Sequence, residues 1–255
     1  MFLSAHQPVY LPWLGLFHKI AVADLFVIYD DVPYSRKMWY NRNVIAGANG
    51  PVRLSVPVLR DSDEQTSHRD VRIDNSRDWR QKHWKSIEFA YKKAPFFEQY
   101  SPGLREIYDS EWTHLAALND ALLLVLLLYL KIETPIEWAS PHGLEGAKSA
   151  RILDMCRKLD AGTYLFGELG REYADVEAFL AAGVVPLFQN YSSPRYERPG
   201  MKATEESLSV LDLIFLRGPQ SKDILMSGNS TQNDYLVDAK RLETEWLSDH
   251  NNALG

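Results

Sequence analysis

Five apolar residues in a row, Leu25-Phe26-Val27-Ile28-Tyr29, stand between Asp24 and Asp30. No other feature constrains the fold as much. A strand with one wet face alternates apolar and polar residues, whereas a short unbroken run suits a strand covered on both faces, as in a parallel sheet. Upstream, Phe2 to Ala5 is a second short apolar run. Trp13 to Val22 then carries Trp13, Leu14, Leu16, Phe17, Ile20 and Ala21 at helical spacing, with Pro12 placed to open the helix. Strand, helix and strand in that order predict a βαβ start.

The rest of the chain extends the pattern. Asp30 to Gly50 is polar and irregular, with turn residues from Ile45 to Pro51. Arg53 to Val58 alternates and reads as a strand, biased to an edge by Pro57, and Asp70 to Asp74 alternates too. Asn75-Ser76 offers cap chemistry for a helix over about Trp79 to Lys93, stopped at Ala94-Pro95. Two further helices are expected at about Phe97 to Asp109 and Thr113 to Leu130. Beyond Pro135 the spacing predicts an extended piece at Ile136 to Ala139, a helix at Ser149 to Leu159 and a strand at Thr163 to Gly167, a second βαβ-like unit. A helix at Val176 to Ala182, a strand at Val184 to Gln189 and a helix at Leu208 to Leu216, ended by Gly218, follow. The expected fold is α/β: a mostly parallel sheet with helices on both faces and a helical insertion at about 76–131. One domain is expected over 1–228, then a polar tail, 229–255, with a short helix from about Asp238 to Ser248.

Composition removes several classes of function. The 34 acidic residues against 28 basic ones give a net charge of −6, so the molecule as a whole does not attract nucleic acid or anionic membranes. Any polyanion must meet a local patch. The single cysteine, Cys156, rules out an internal disulfide framework and a Cys-rich zinc site, and fits a reducing cytoplasm. Met1 to Pro8 lacks a basic leader region, so no export signal is expected. The longest apolar run, Ala121 to Leu130, is half of the roughly 20 residues a membrane-spanning helix needs, so it reads as a buried helix with no membrane insertion. A cytoplasmic location is the expectation. The seven histidines show neither His-x-His nor His-Glu-x-x-His spacing, so no metal ligand is assigned.

Two polar blocks follow the first two strands and should open onto one crevice, because ligands of open α/β sheets sit at the carboxyl ends of strands. In the first, His6 can carry a proton near neutral pH, Gln7 both donates and accepts, and Tyr10 and Trp13 offer stacking faces. The competing account makes Tyr10 and Trp13 core aromatics and His6 a hydrogen-bonded structural residue. In the second block, Asp30 and Asp31 could hold a hydrated magnesium ion or an amine, while Arg36, Lys37 and Arg42 could grip a phosphate or carboxylate. Tyr34, Trp39 and Asn41 stand among them. The competing account is a solvated loop with weak Asp–Arg pairs. Further on, Lys148-Ser149 could meet an anion as a helix opens, or serve only as cap and solvated charge, and it lacks the glycine spacing of a P-loop. Glu168 follows the strand end at Gly167, where a surface turn competes with a ligand contact. Arg69 to Lys93 holds eight basic residues against four acidic ones, interleaved with Trp79, Trp84, Phe89 and Tyr91. It could face an aminoacyl-tRNA donor, or hide its aromatics in the core.

These residues carry a resemblance. The run His6-Gln7-Pro8-x-Tyr10-Leu11-Pro12-Trp13-x-Gly15-x-Phe17-His18-Lys19-Ile20, then Asp30-Asp31-Val32, Tyr34, Trp39 and Asn41-Arg42-Asn43, is similar to the WbqC-like protein family. Trp79-Arg80-x-Lys82-His83, Tyr91-x-x-Ala94-Pro95-x-Phe97, Lys148-Ser149 and Tyr164-x-x-Gly167 extend the likeness over about residues 3 to 225. Pro33, where glutamine is usual, and Glu168, where a smaller residue is common, depart from it. The resemblance implies a transferase placing an aminoacyl group, glycine in the suggested case, on an amino-sugar precursor of O-antigen or another surface polysaccharide. His6 would be base or charge stabiliser, Asp30 and Asp31 would hold amine or metal, and Arg36 and Arg42 would bind an anion. The activated acyl donor would be made with ATP and magnesium or arrive as an aminoacyl-tRNA, and the acceptor would be a nucleotide-linked amino sugar. A looser likeness to nucleotidylyltransferase-like α/β proteins, whose His-x-Gly-His element is absent here, leaves an adenylate-forming enzyme open. A non-catalytic nucleotide-sugar or partner-binding protein is the remaining alternative. Oligomeric state is not assigned.

Overall fold

The computed structural model describes residues 1–47, 50–59, 65–198 and 208–252. β1 (Phe2–His6) leads through α1 (Leu14–Ala21) to β2 (Leu25–Ile28). A ribbon of β3 (Arg42–Gly47) and β4 (Gly50–Ser55) and three helices, α2 (Trp79–Tyr91), α3 (Phe97–Asp109) and α4 (Leu115–Leu130), fill the crossover to β5 (Ile136–Trp138). Then come α5 (Lys148–Lys158), β6 (Thr163–Phe166), α6 (Val176–Ala181), β7 (Val185–Phe188), α7 (Leu211–Arg217), α8 (Ser221–Met226) and α9 (Gln232–Asn252).

β1, β2, β5, β6 and β7 form one sheet in the order β5-β2-β1-β6-β7, and every neighbouring pair is parallel. The chain steps outward from β1 to β5 along one edge, then returns to lay β6 against the other side of β1. Strand order therefore reverses between β1 and β6, which is the topological switch point of an open α/β sheet.

The period of two along each strand divides the core. Leu3, Ala5, Leu25, Val27, Tyr164 and Phe166 pack with Ile152, Met155 and Cys156 of α5 and Phe179 of α6. Phe26 and Ile28 face the other way, into a larger core shared by α1, the insertion helices and α7. Phe2, Leu165, Val185 and Leu187 meet Tyr235 and Ala239 of α9. Helices thus cover both faces, as the unbroken run at Leu25 to Tyr29 required. The apolar run within α4 is helical but buried along one side only, at Leu122, Leu123, Leu126, Leu127 and Leu130, while Leu124 and Leu128 are exposed, and among the described residues no helix is long and apolar enough to cross a membrane.

Three local expectations change. The stretch from Ile45 to Pro51 is not a turn alone. β3 runs through it and pairs with β4 so that Gly47 lies opposite Gly50, where a side chain on Gly47 would approach the Gly50 carbonyl to 2.7 Å. Asn75-Ser76 does not cap α2: Asp78 is the N-cap and makes no side-chain cap bond, while Asn75 bridges the Trp79 indole (3.1 Å) and the Trp112 carbonyl (2.8 Å). The tail helix begins at Gln232 rather than Asp238, because Thr231 and Asp234 close a reciprocal cap on each other's N–H groups (3.3 and 2.8 Å) and Tyr235 is already buried.

Candidate functional site at the carboxyl end of the sheet

His6 ends β1, Asp30 follows β2, and Trp138 ends β5. In parallel register His6 lies beside Ile28 and Ile28 beside Trp138, so these positions share one face of the sheet. His6 Nδ1 is 2.9 Å from its neighbour's carbonyl, Gln7 O. A carbonyl only accepts, so Nδ1 carries the hydrogen and Nε2 of the neutral ring keeps its lone pair. The ring meets Trp13 edge-on at 5.5 Å. Burial above all, and the charge of Lys19 next, lower the His6 pKa to about 4, against the opposing bond to Gln7. Lys19, on the buried side of α1, donates to Ala5 O (2.8 Å), and burial lowers its pKa to about 7.

The insertion folds back over this face. Its 68–70 turn is held to the end of β2 by His68 N–H to Val32 O (3.0 Å) and Arg69 N–H to Asp30 O (2.8 Å). The His68 ring stands edge-on to Tyr34 and Tyr40, at 5.4 and 4.4 Å. Burial, then the charge of His6, push its pKa down to about 3. α4 packs on this turn and brings Asn119, whose Nδ2 donates to Tyr40 O (3.1 Å), and Asp120, whose Oδ2 accepts from Trp138 Nε1 (2.8 Å). Burial raises the Asp120 pKa to about 6 despite the Trp138 bond, and the Asp30 carboxylate adds to the rise. Asp30 itself is buried and accepts the backbone N–H (2.9 Å) and hydroxyl (2.6 Å) of Ser140.

Asp31 turns to the opposite face, where Arg151 of α5 grips it at 2.6 Å. Tyr173 lies close enough to help raise the pKa of Tyr29, after burial and Cys156, and that of Tyr40, after burial. Nine buried side-chain polar atoms among the described residues lack a hydrogen-bond partner, and seven of them belong to this end of the sheet, in Tyr29, Asp31, Tyr34, His68, Asn119, Asp120 and Arg151. Native interiors leave few such atoms unmet, and these seven divide between the two faces: Tyr29, Asp31 and Arg151 on the side of α5, and Tyr34, His68, Asn119 and Asp120 around the 68–70 turn and α4. Two shallow hollows elsewhere, one at Leu180, Val185 and Trp246 and one at Cys156, Asp160 and Gly183, open at the opposite end of the strands and gather no such groups.

The structure sorts the residues named from sequence. His6 and Asp30 stand on one face of the sheet, Trp13 meets the His6 ring, and Tyr34 meets the ring of His68, which feels the charge of His6. Gln7 is half-buried and supplies its carbonyl. Tyr10 does not join the His6 side chain: it is fully buried, its hydroxyl bonded to His83 Nδ1 (2.8 Å) and to the Tyr108 hydroxyl. Asp30 and Asp31 do not form one metal or amine clamp, because consecutive residues at a strand end point to opposite faces and each has its own partner. Among the described residues no three His, Cys, Asp or Glu side chains are grouped to hold a metal. Arg42 is a staple and not a free anion clamp. It donates to the carbonyls of Arg36 (3.1 Å) and Lys37 (3.0 Å) and lies 5.3 Å from the exposed Trp39 ring. Arg36, itself exposed, donates to Leu59 O, and Asn41 donates to Val56 O (2.8 Å). Lys37, Lys148 and Glu168 are exposed, while the buried Ser149 hydroxyl accepts the Asp175 N–H (2.8 Å). In the basic segment Trp79, Trp84 and Tyr91 are buried, leaving Phe89 as its exposed ring, so it offers no row of stacking platforms.

Lys19, His68, Asn119, Asp120, Ser140, Arg151 and Tyr173 were not read as site residues. Arg151 had a signal, since it lies one turn into the helix that opens at Lys148. Lys19 had one too: it sits beside the apolar positions Leu16 and Ile20. Ser140 and Tyr173 follow β5 and β6 at the same end of the sheet, and His68, Asn119 and Asp120 arrive through tertiary folding of the long crossover between β2 and β5.

Fold and site together define an α/β protein with an open parallel sheet whose carboxyl end gathers histidines, carboxylates and unmet polar atoms. The chain belongs to the WbqC-like protein family, whose model matches residues 7–224. It is similar to an uncharacterized protein of Mycobacterium tuberculosis, Rv1507c, with 32% identity over 220 residues that cover 86% of this chain and 95% of that one. No solved structure matches it.

Proposed function

We propose that this WbqC-like protein is a transferase that attaches an aminoacyl group, glycine being the candidate, to an amino-sugar precursor of a surface polysaccharide. The sugar amine attacks the acyl carbon of an activated donor, forming the C–N bond. The donor's leaving group departs with the electron pair of the broken bond, and a base takes the proton shed by the amine. His6 Nε2 is the base: Gln7 O fixes the tautomer that leaves its lone pair available, and the ring stays uncharged at neutral pH. That one fixed, unprotonated nitrogen beside the switch point is the observation that carries the reading.

The test is turnover. Purified protein is given nucleotide-linked amino sugars and glycine, with ATP or with glycyl-tRNA, and products are weighed by mass spectrometry. A glycylated sugar is expected, with its formation reduced about 100-fold or more in His6→Ala. No product under any of these conditions overturns the proposal. The strand order β5-β2-β1-β6-β7 favours a second reading, a nucleotide-using adenylate-forming enzyme, since dinucleotides and nucleotides bind where strand order reverses. Release of pyrophosphate from ATP without sugar separates the two.

A further inference from the structure

Asp30 and Asp120 stand near each other on the His6 face, and among the described residues neither has a cationic partner: Asp30 is held by Ser140 and Asp120 by the Trp138 indole. Asp31, one residue away on the other face, is paired with Arg151. Two neighbouring carboxylates without a cation, Asp30 buried and Asp120 half-buried with its Oδ1 out of reach of solvent, are costly unless one of them keeps a proton or a cation arrives. Asn119, only 2% exposed, adds a second and independent sign. Its amide nitrogen is committed to Tyr40 O, which leaves its oxygen as an acceptor with nothing to accept. Asp120 Oδ1 is in the same condition, and so is Nε2 of His68 on the turn against which α4 packs.

We infer that Asn119, Asp120 and Asp30 form a subsite for the protonated primary amine of a sugar. An ammonium offers three donors and no acceptor, which matches oxygens that only accept. It supplies the missing positive charge. The sugar amine fits better than a free amino acid, whose carboxylate would be carried toward Asp30 and Asp120. His68 Nε2 would then meet a ring hydroxyl, which can donate or accept. This inference rests on the transferase reading in placing the acceptor amine on the same face as His6: the ammonium passes one proton to the Asp120 carboxylate before it attacks, and the second, shed as the C–N bond forms, goes to His6 Nε2.

Asp30, after β2, is the charged group whose field reaches Asp120; on the same end of the sheet Lys19 of α1 acts on His6, and His6 of β1 acts on His68 of the turn. With the histidines uncharged and Asp120 part-protonated near pH 6, arrival of an ammonium should expel the Asp120 proton. Calorimetric titration of the whole chain with glucosamine, glycine and N-acetylglucosamine at about pH 6, in buffers of differing ionisation heat, reads both affinity and proton release. Glucosamine is expected to bind with proton release, and N-acetylglucosamine at least tenfold more weakly. Asp120→Asn keeps an acceptor for Trp138, and it should bind glucosamine at least tenfold more weakly without releasing a proton. Asp238→Asn, on α9, should behave as the parent. Glycine binding in preference to glucosamine overturns the sugar assignment. Equal binding of the N-acetylated sugar, an unaffected Asp120→Asn, or no amine binding overturns the subsite. Amine binding without any transferred product removes the transferase reading and leaves the subsite. Product formation with an unchanged KM for the amine in Asp120→Asn does the reverse.

Discussion

His83 and His68 are both buried histidines whose pKa burial lowers, to about 4 and about 3. Around His83 the bonding is complete: Tyr10 donates to Nδ1, Tyr108 bonds Tyr10 in turn, and the backbone of Ser55 also bonds the ring. His68 has the same aromatic company, Tyr34 and Tyr40, but its Nε2 finds no partner among the described residues. Burial and a displaced pKa are therefore no mark of function by themselves. The difference lies in the unmet bond, which a core can remove by adding a tyrosine and a binding site keeps open at a cost in stability.

The largest effect should come from the completed network. Tyr10→Ala empties a fully buried site and should cost about 3–5 kcal/mol in denaturant unfolding. Tyr10→Phe leaves the Tyr108 and His83 polar atoms unpaired and should cost about 1–3 kcal/mol. If Tyr10→Phe were neutral, the two histidines would not differ in the way described.

Acid should act next, and on both regions at once. His6, His18, His68 and His83 all have folded pKa values below the usual 6.5, so they contribute full stability above that pH and lose it as pH falls toward about 4. Over that window the unfolded chain binds more protons at these four sites. Asp120 works in the opposite direction. Its folded pKa of about 6 lies above the unfolded value, so its unfavourable contribution grows as pH rises from about 4 to 6 and persists above. Four groups outweigh one, and unfolding midpoints should fall steadily between pH 6.5 and 4. Asp120→Asn should steepen that fall and raise stability at pH 7 by on the order of 1 kcal/mol. A lower midpoint for Asp120→Asn at pH 7 would contradict the unpaired state assigned to this carboxylate.

Local pattern made the frame of this molecule legible and left its lid obscure. Leu25 to Tyr29 announced a doubly covered strand because burial on both faces leaves no polar position, and the blocks at His6 and Asp30 fell at strand ends for the same topological reason. β3 was hidden because Gly47, Gly50 and Pro51 signal a turn whichever strands flank it. Asp30 and Asp31 looked like one clamp because adjacency along the chain was weighed without the alternation of faces at the end of a strand. His68, Asn119 and Asp120 carry no local signal at all. They come to this end of the sheet because the 68–70 turn is bonded to the residues after β2 and α4, more than 40 residues further along the chain, packs on that turn.

The smallest change in stability should fall on the residue with the unmet bond. His68→Phe keeps a ring between Tyr34 and Tyr40 and deletes a polar atom that bonds nothing in the folded chain, so unfolding should move by no more than about 1 kcal/mol. His83→Phe, the same exchange in the completed network, strands the Tyr10 hydroxyl and should cost more, about 1–3 kcal/mol. Sugar-amine binding should show the reverse order, weakened in His68→Phe and kept in His83→Phe. Equal losses of stability in the two variants would mean that His68 is bonded in solution after all, and the contrast between core and crevice would close.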